Sequence, residues 1–454
     1  MSLQDILGQL PLLKSYTHIL LCFSLPDSER EPVLEALQCA TKRLLAAFPF
    51  LAGIVVHSGV APGDSGTFAV EGYDDNGRSR KAQELLSIKD LTDALPPYSA
   101  VYSAHAPPSM LPGSLVAPPR AAFPRIYTED AAPVLEMQAS LVRGGLLLDI
   151  AAQHNVIDAT GIFYIAHLLS KLMDDHPNPI PHADLLLGNC SRQDLIPLLP
   201  PDEPLPDEMN LFTKDRPPQL DRETLSAFKW YLLRFTAEAL STIHAEANSH
   251  PEDFVEGIAS VSVNDAITAF CWQRLTLART SLYSFSSDEA MTQLTRAADL
   301  RRTLNLSPAY MGHMVRTANL RLPTSTVTTS SLSKLSSLLR DTVAKHTAPH
   351  SVRSYATLLH RTRDKNRVLY AGGFNALTDF SCSSVAHVAL PRFGAVLGTP
   401  DFVRRPTFGP LPAGMYVAPG RGGEGGDAVV CLREGEMDAL RRDELWRARV
   451  SVIE

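Results

Sequence analysis

A mixed α/β fold in two units, joined by a proline-rich crossover, is what the sequence predicts. Three observations carry the prediction. The length of 454 residues exceeds what one core normally serves and suits two domains of about 200 residues or three of about 150. Hydrophobic residues make up 45% and charged residues 20%, the balance of a soluble globular chain rather than a disordered, fibrous or coiled-coil one. Strand-like and helix-like runs occur on both sides of residues 197–218, where seven prolines stand among several acids.

Along the chain, Tyr16 to Leu25 reads as a strand. A helix from near Ser28 then carries Val33, Leu34, Leu37, Leu44, Leu45 and Phe48 on one face, and Pro49 stops it. Residues 58–68 and 96–120, rich in Gly, Pro, Ser and Ala, read as surface loops, the second long enough to cover something. Val134 to Val142 and Leu146 to Gln153 are strand-like runs around Gly144-Gly145, a compact hairpin signal, with a helix expected over Ile162 to Met173. The proline-rich run breaks packing on either side and is taken as the crossover. Beyond it, Arg222 to Ala247, Val263 to Arg279 and Ser331 to His346 have helical period. Gly414 to Leu432 reads as a hairpin, and Glu436 to Leu445 as a final helix. No repeat of fixed period is visible.

Charge and cysteine usage exclude several functions. With 42 Lys+Arg against 49 Asp+Glu the net charge is -7, and no basic stripe offers a nucleic-acid surface. The six cysteines lack a CxxC pair, so neither a zinc set nor a disulfide framework is expected, and they read as reduced, mostly buried thiols. The apolar stretch Ile19 to Phe23 follows Asp5, Pro11 and Lys14 and has no cleavage site in signal-peptide register. No run approaches the roughly 18 apolar residues of a membrane helix. A cytoplasmic address without membrane or nucleic-acid partners is the expectation.

GxSxG, HExxH and GxxxxGK[ST] are all missing, which counts against serine hydrolase, zinc protease and P-loop NTPase chemistry. A GxGxxG does occur at Gly420, Gly422 and Gly425, but strand-like residues flank it on both sides, so it reads as a hairpin loop. The informative segment is LLLDIAAQHNVIDATG, residues 146–161. There a buried-looking strand ends in His154, and Asp158 follows four residues later. An imidazole at a strand end beside a loop mouth suits general-base chemistry, because its unperturbed pKa lies near working pH. Ser262 and Asn264 open a helix, where the bland role is capping and the functional one is meeting a phosphate.

Five ordered segments resemble the fungal branch of the BAHD acyltransferases, the group that contains the trichothecene O-acetyltransferases. ATKRLLAAFPFLAG (40–53) is similar to the family's helix and "YPLLAGR"-like turn, and MQASLVRGGLLLDIAAQHNVIDATG (137–161) to its double-glycine hairpin, HHxxxD and closing glycine, here Gly161. SVNDAITAFCWQ (262–273), ADLRRTLNLSPAYMGH (298–313) and RFGAVLGTPDFVRRP (392–406) resemble "STNDALTAFxW", "VNLRSRLxPPLPxxYxGN" and "DFGxxLGKPxxVR". Gln153, His313 and Arg392 depart from the pattern: the family has a first histidine, an asparagine and an aspartate there.

The resemblance implies two pseudo-symmetric chloramphenicol-acetyltransferase-like domains, each a mixed sheet flanked by helices, with a channel between them. It implies an N-terminal domain over 1–196, a crossover over 197–222 and a C-terminal domain over 223–454 that exchanges a segment near 375–405 with the first. It implies a monomeric acyltransferase of the class that moves groups other than aminoacyl groups, using acyl-CoA, most simply acetyl-CoA, as co-substrate, with a small-molecule alcohol as acceptor. No tightly bound cofactor or metal is implied. His154 would be the general base, Asp158 would pair with Arg301 as support, and one of Ser381, Ser383 and Ser384 would face the oxyanion or pantetheine. The departures at Arg392 and His313 leave open a natural-product enzyme of this fold that transfers no acyl group, such as a pericyclase or a condensation-like scaffold. Arg392 is either a solvated structural residue or a cation that selects an anionic ligand.

Overall fold

The computed structural model describes residues 3, 5–72, 82–123, 127–129, 131–174, 180–213, 220–283, 290–420 and 425–454. Two large sheets organise them. The first has five strands, in the order Phe402–Arg404, Tyr16–Ser24, Gly145–Gln153, Leu135–Val142, Leu86–Asp90. The second has seven, in the order Val315–Pro323, Met291–Asp299, Phe380–Ser384, Gly414–Val417, Gly426–Arg433, Phe228–Phe235, Ser451–Ile453. A small third sheet joins Asp64–Glu71, Ile54–Ala61 and Ala131–Pro133.

The hairpin at the centre of the first sheet follows from its sequence. Gly144 turns with φ of 73°, a conformation glycine takes without a Cβ clash. Every residue of Gly145–Gln153 is buried, as a continuous apolar run between two paired neighbours requires. Tyr16–Ser24 runs antiparallel beside it, with Tyr16 opposite Gln153. The helices Arg30–Ala47 and Ala159–Met173 cover one face, and Val33, Leu34, Leu37 and Leu44 enter the core with Ile162, Phe163, Ile165 and Leu169. A second core under the seven-stranded sheet is built on the helices Val263–Tyr283 and Leu332–Thr347.

Four segments differ from the sequence expectation. Residues 222–247 do not form one helix: Arg222–Ser226 is a short helix, Phe228–Phe235 is a strand, and Ala237–Ala247 is a second helix. The aromatic run FKWYLLRF pairs on both edges, with Gly426–Arg433 and Ser451–Ile453, and ladder pairing overrides the helical period. Residues 58–68 belong to a hairpin rather than a loop, Gly59, Gly63 and Gly66 supplying positive φ within it. Residues 96–120 are not a surface loop either. They form short helical turns, and Tyr98, Val101, Leu111 and Val116 pack on the outer face of the first sheet. The crossover packs rather than dangles, since Ile196, Met209 and Phe212 join Leu7, Leu10, Tyr310 and Tyr355 in a third cluster. Its residues 214–219 lie outside the described residues.

After Ser384 the chain leaves the second sheet. Phe393 and Leu397 enter the first core, and Phe402–Arg404 adds to the first sheet beside Tyr16–Ser24 before the chain returns at Gly414. The glycine-rich run lies between the antiparallel strands Gly414–Val417 and Gly426–Arg433, so a strand and not a helix follows it. Its Gly422 lies outside the described residues. Four of the six cysteines, Cys22, Cys271, Cys382 and Cys431, are buried. No described helix is long and apolar enough to cross a membrane.

Candidate active site

A cavity of about 990 Å³ lies between the two large sheets. One wall is the second sheet, where Val315, Thr317, Thr295, Ala297, Ser381 and Tyr416 alternate with residues that point into the core. The other wall comes from the first sheet and its loops, through Tyr16, Thr17, His154, Val403 and Arg405.

His154 follows the strand Gly145–Gln153 directly, and its N–H donates to the Ser15 carbonyl at 2.8 Å. Beneath the turn, Asn155 donates to the carbonyls of Gly8 (2.5 Å) and Leu10 (3.1 Å). A Cβ at Gly8 would sit 2.0 Å from the Asn155 carbonyl oxygen, so only glycine allows this approach. Nδ1 of His154 is sealed without a hydrogen-bond partner among the described residues, which leaves Nε2 as the nitrogen open to the cavity. Burial, and then the neighbouring His313, push the imidazole pKa down to about 3, with Arg405 adding to the effect and Asp158 opposing it. The ring is therefore neutral at physiological pH.

Asp158 has turned away from that ring to cap the helix Ala159–Met173. Its carboxylate accepts the Gly161 N–H, two N–H groups of Arg301 and the Met314 N–H, each at 2.9 Å. Burial alone would raise its pKa, and the Arg301 guanidinium outweighs that and lowers it. Arg301 also donates to the carbonyls of Tyr310 (3.0 Å) and Gly312 (2.8 Å) and to Asp299 (2.9 Å). Gly161 is a close-approach glycine, since a Cβ would lie 2.5 Å from the Met311 carbonyl oxygen. The pair thus ties the 310–314 loop to the turn that carries His154.

That loop delivers a residue whose place only the structure reveals. His313 is fully buried, its ring edge-on to His154 with centroids 4.9 Å apart. Its N–H donates to Asp5, which also takes the Tyr310 hydroxyl and pairs with Arg192 at 3.2 Å. Asp5 and Arg192 were not legible as site residues because each supports the site from a distant part of the chain, and Asn155, although next to His154, carries no local signal of its bonds to Gly8 and Leu10.

The remaining candidates separate. Ser381 lines the cavity but donates to the Ala413 carbonyl, and Ser384 accepts from the Ala386 N–H. Ser383 lines the cavity with no such side-chain bond, opposite Tyr416 in the ladder. Ser262 is off the cavity, exchanging hydrogen bonds with Asp265 at the helix start, which is the capping role. Asn264 does line the cavity, and its Oδ1 is buried without a hydrogen-bond partner among the described residues. Arg392 is exposed and does not line the cavity, which leaves it the solvated structural role. Among the described residues no group of His, Cys, Asp and Glu is placed to hold a metal.

Two sheet-and-helix halves around a channel, with the neutral His154 reachable in its wall, define the architecture of an acyl-transfer enzyme of the chloramphenicol-acetyltransferase type. Residues 122–445 match the family described as Transferase family, and residues 15–172 match the trichothecene 3-O-acetyltransferase-like N-terminal domain. The chain belongs to that Transferase family. It is 38% identical over 459 residues to the O-acyltransferase pigD of Monascus ruber, covering 99% of this chain and 98% of that protein. It is 30% identical over 455 residues to the trichothecene 3-O-acetyltransferase TRI101 of Fusarium sporotrichioides, covering 97% and 95%. The crystal structure of F. graminearum TRI101 complexed with coenzyme A and deoxynivalenol superposes with a TM-score of 0.89 at 26% identity, covering all of both chains.

Proposed function

We propose that this chain is an acyl-CoA-dependent O-acyltransferase that acetylates a hydroxyl of a fungal secondary metabolite, with His154 as general base. The observation that carries the reading is the open Nε2 of a neutral imidazole, set in the wall of a channel that runs between the sheets. Relatives named as O-acyl- and O-acetyltransferases along nearly the whole chain support the reaction class. The partners are a small-molecule alcohol and acetyl-CoA, and the chain is proposed to act as a monomer. A partition at 1–196, 197–222 and 223–454 is proposed with it, supported by the separate cores under the two sheets.

In this reading, Nε2 of His154 takes the proton from the acceptor hydroxyl as its oxygen attacks the thioester carbonyl. The C–O bond forms and negative charge gathers on the former carbonyl oxygen, where the free hydroxyl of Ser383 is the candidate donor. Collapse breaks the C–S bond, and the imidazolium returns its proton to the departing thiolate. Ester and free coenzyme A leave, with no acyl-enzyme. Asp158 and Arg301 hold the loop and do not touch the reacting atoms.

Thiol release from acetyl-CoA in the presence of fungal polyketide, terpenoid and alkaloid alcohols tests the proposal. His154→Ala is expected to slow release by about a hundredfold to ten-thousandfold without change in the melting temperature. Near-full turnover by a folded His154→Ala enzyme overturns it.

A further inference from the structure

Building on the acyl-transfer reading, we infer that the acceptor alcohol also carries an anionic oxygen, a carboxylate or an ionised enol or phenol, and that Arg405 binds it against Tyr416. Five arginines line the channel, and their partners separate them. Arg296 pairs with the buried Asp265, and Arg404 pairs with Asp427 at 2.7 Å while donating to the carbonyls of His105 and Ala106. Arg302 is exposed, and Arg340, with 47% of its side chain exposed, lies 3.8 Å from Asp265. Arg405 is half-buried, and among the described residues no carboxylate lies within ion-pair distance of it.

What Arg405 has instead is an aromatic face. Its guanidinium sits 4.0 Å above the Tyr416 ring centroid, and Tyr416 is backed by Trp230 at 6.0 Å. A ring compensates a partly desolvated cation only in part, and the planar fork is left free to take two oxygens of a ligand side by side. The fork is also held in place. Pro406 confines the Arg405 backbone to extended conformations, and the preceding Arg404 is anchored by its own network. Little freedom remains to be lost when a ligand binds.

The position selects the acceptor over coenzyme A. The phosphates of coenzyme A lie at the far end of the pantetheine arm from the thioester, and the thioester must reach His154. Arg405 lies in the same wall of the channel as His154, beside Val403. The exposed Arg302 and Arg340 are better placed for phosphates that remain near solvent.

The test uses 2-, 3- and 4-(hydroxymethyl)benzoate, each against its methyl ester, with the intact chain. Dissociation constants come from equilibrium dialysis, and kcat/KM from thiol release with acetyl-CoA. Wild type should prefer at least one acid over its ester, and Arg405→Gln should shrink that preference by about tenfold or more, the scale of a hydrogen bond to a charged group. Arg405→Lys should keep part of it, and salt should weaken it. Equal affinity for acid and ester across the panel, or binding of neither, overturns the inference. A rise in the KM for acetyl-CoA in place of the lost preference also overturns it and assigns Arg405 to the co-substrate. Dialysis does not depend on turnover, so an acid preference without thiol release from any alcohol would sustain the anion site and sink the acyl-transfer reading alone.

Discussion

Asp158→Ala is the variant whose consequence the structure specifies most fully. Four hydrogen bonds end on a carboxylate with no exposed surface, two from Arg301 and one each from the Gly161 and Met314 N–H groups. Removing one member of a buried ion pair typically costs about 3 to 5 kcal/mol, because the other charge is stranded. Here Arg301 keeps Asp299 and the carbonyls of Tyr310 and Gly312, which places the cost near the lower end, about 3 kcal/mol. At about 1 °C per kcal/mol for a chain of this size, the melting temperature should fall by about 3 °C. Activity should fall as well, because the released 310–314 loop no longer holds His313 against His154. The check is thermal unfolding of Asp158→Ala, Arg301→Met and the double variant beside thiol-release kinetics. The double variant leaves neither charge alone, so it should be more stable than the two single losses added together, by about 2 kcal/mol. Additive losses would refute the pairing argument. An Asp158→Ala enzyme that melts like wild type yet is inactive would move Asp158 into the chemistry.

Three further outcomes are expected. The folded pKa of His154 lies far below the usual histidine value near 6.5, so this group should leave kcat/KM flat from pH 8 down to 5. Stability should decline as pH drops below about 6.5, where the unfolded histidine takes up a proton that the folded one refuses. An acid limb centred near 6.5 would refute the sealed environment. Ser383→Ala should lower kcat by about a hundredfold, while Ser381→Ala, whose hydroxyl is bonded to the Ala413 carbonyl, should change it much less; equal effects in kinetic assays of the two would contradict the assignment. Arg392→Ala should leave the KM for acetyl-CoA and for any acceptor unchanged at low and high salt, and a salt-sensitive rise would return Arg392 to the channel.

Much of the first half was legible locally. The double-glycine hairpin, the helix after Asp158 and the histidine at the strand end are all encoded within a few residues of one another, where period, turn chemistry and capping act. The capped helix starts at Ala159, three residues before its apolar period begins, because Asp158 and Gly161 form the cap. Phe228–Phe235 was misread as helix for the opposite reason. Its eight residues become a strand by pairing with Gly426–Arg433, almost two hundred positions away in the chain.

By itself the sequence determined the locally encoded elements, the family resemblance and the identity of His154 and Asp158, since these depend on patterns within short windows of chain. Tertiary structure alone decided that Ser262 is a cap and Arg392 a surface residue, while Ser383 and Arg405 face the channel. It also decided that His313, one of the departures from the family pattern, stands edge-on to His154. The physical reason is that desolvation, ion pairing and access depend on which distant residues share a volume, and no local period encodes that neighbourhood.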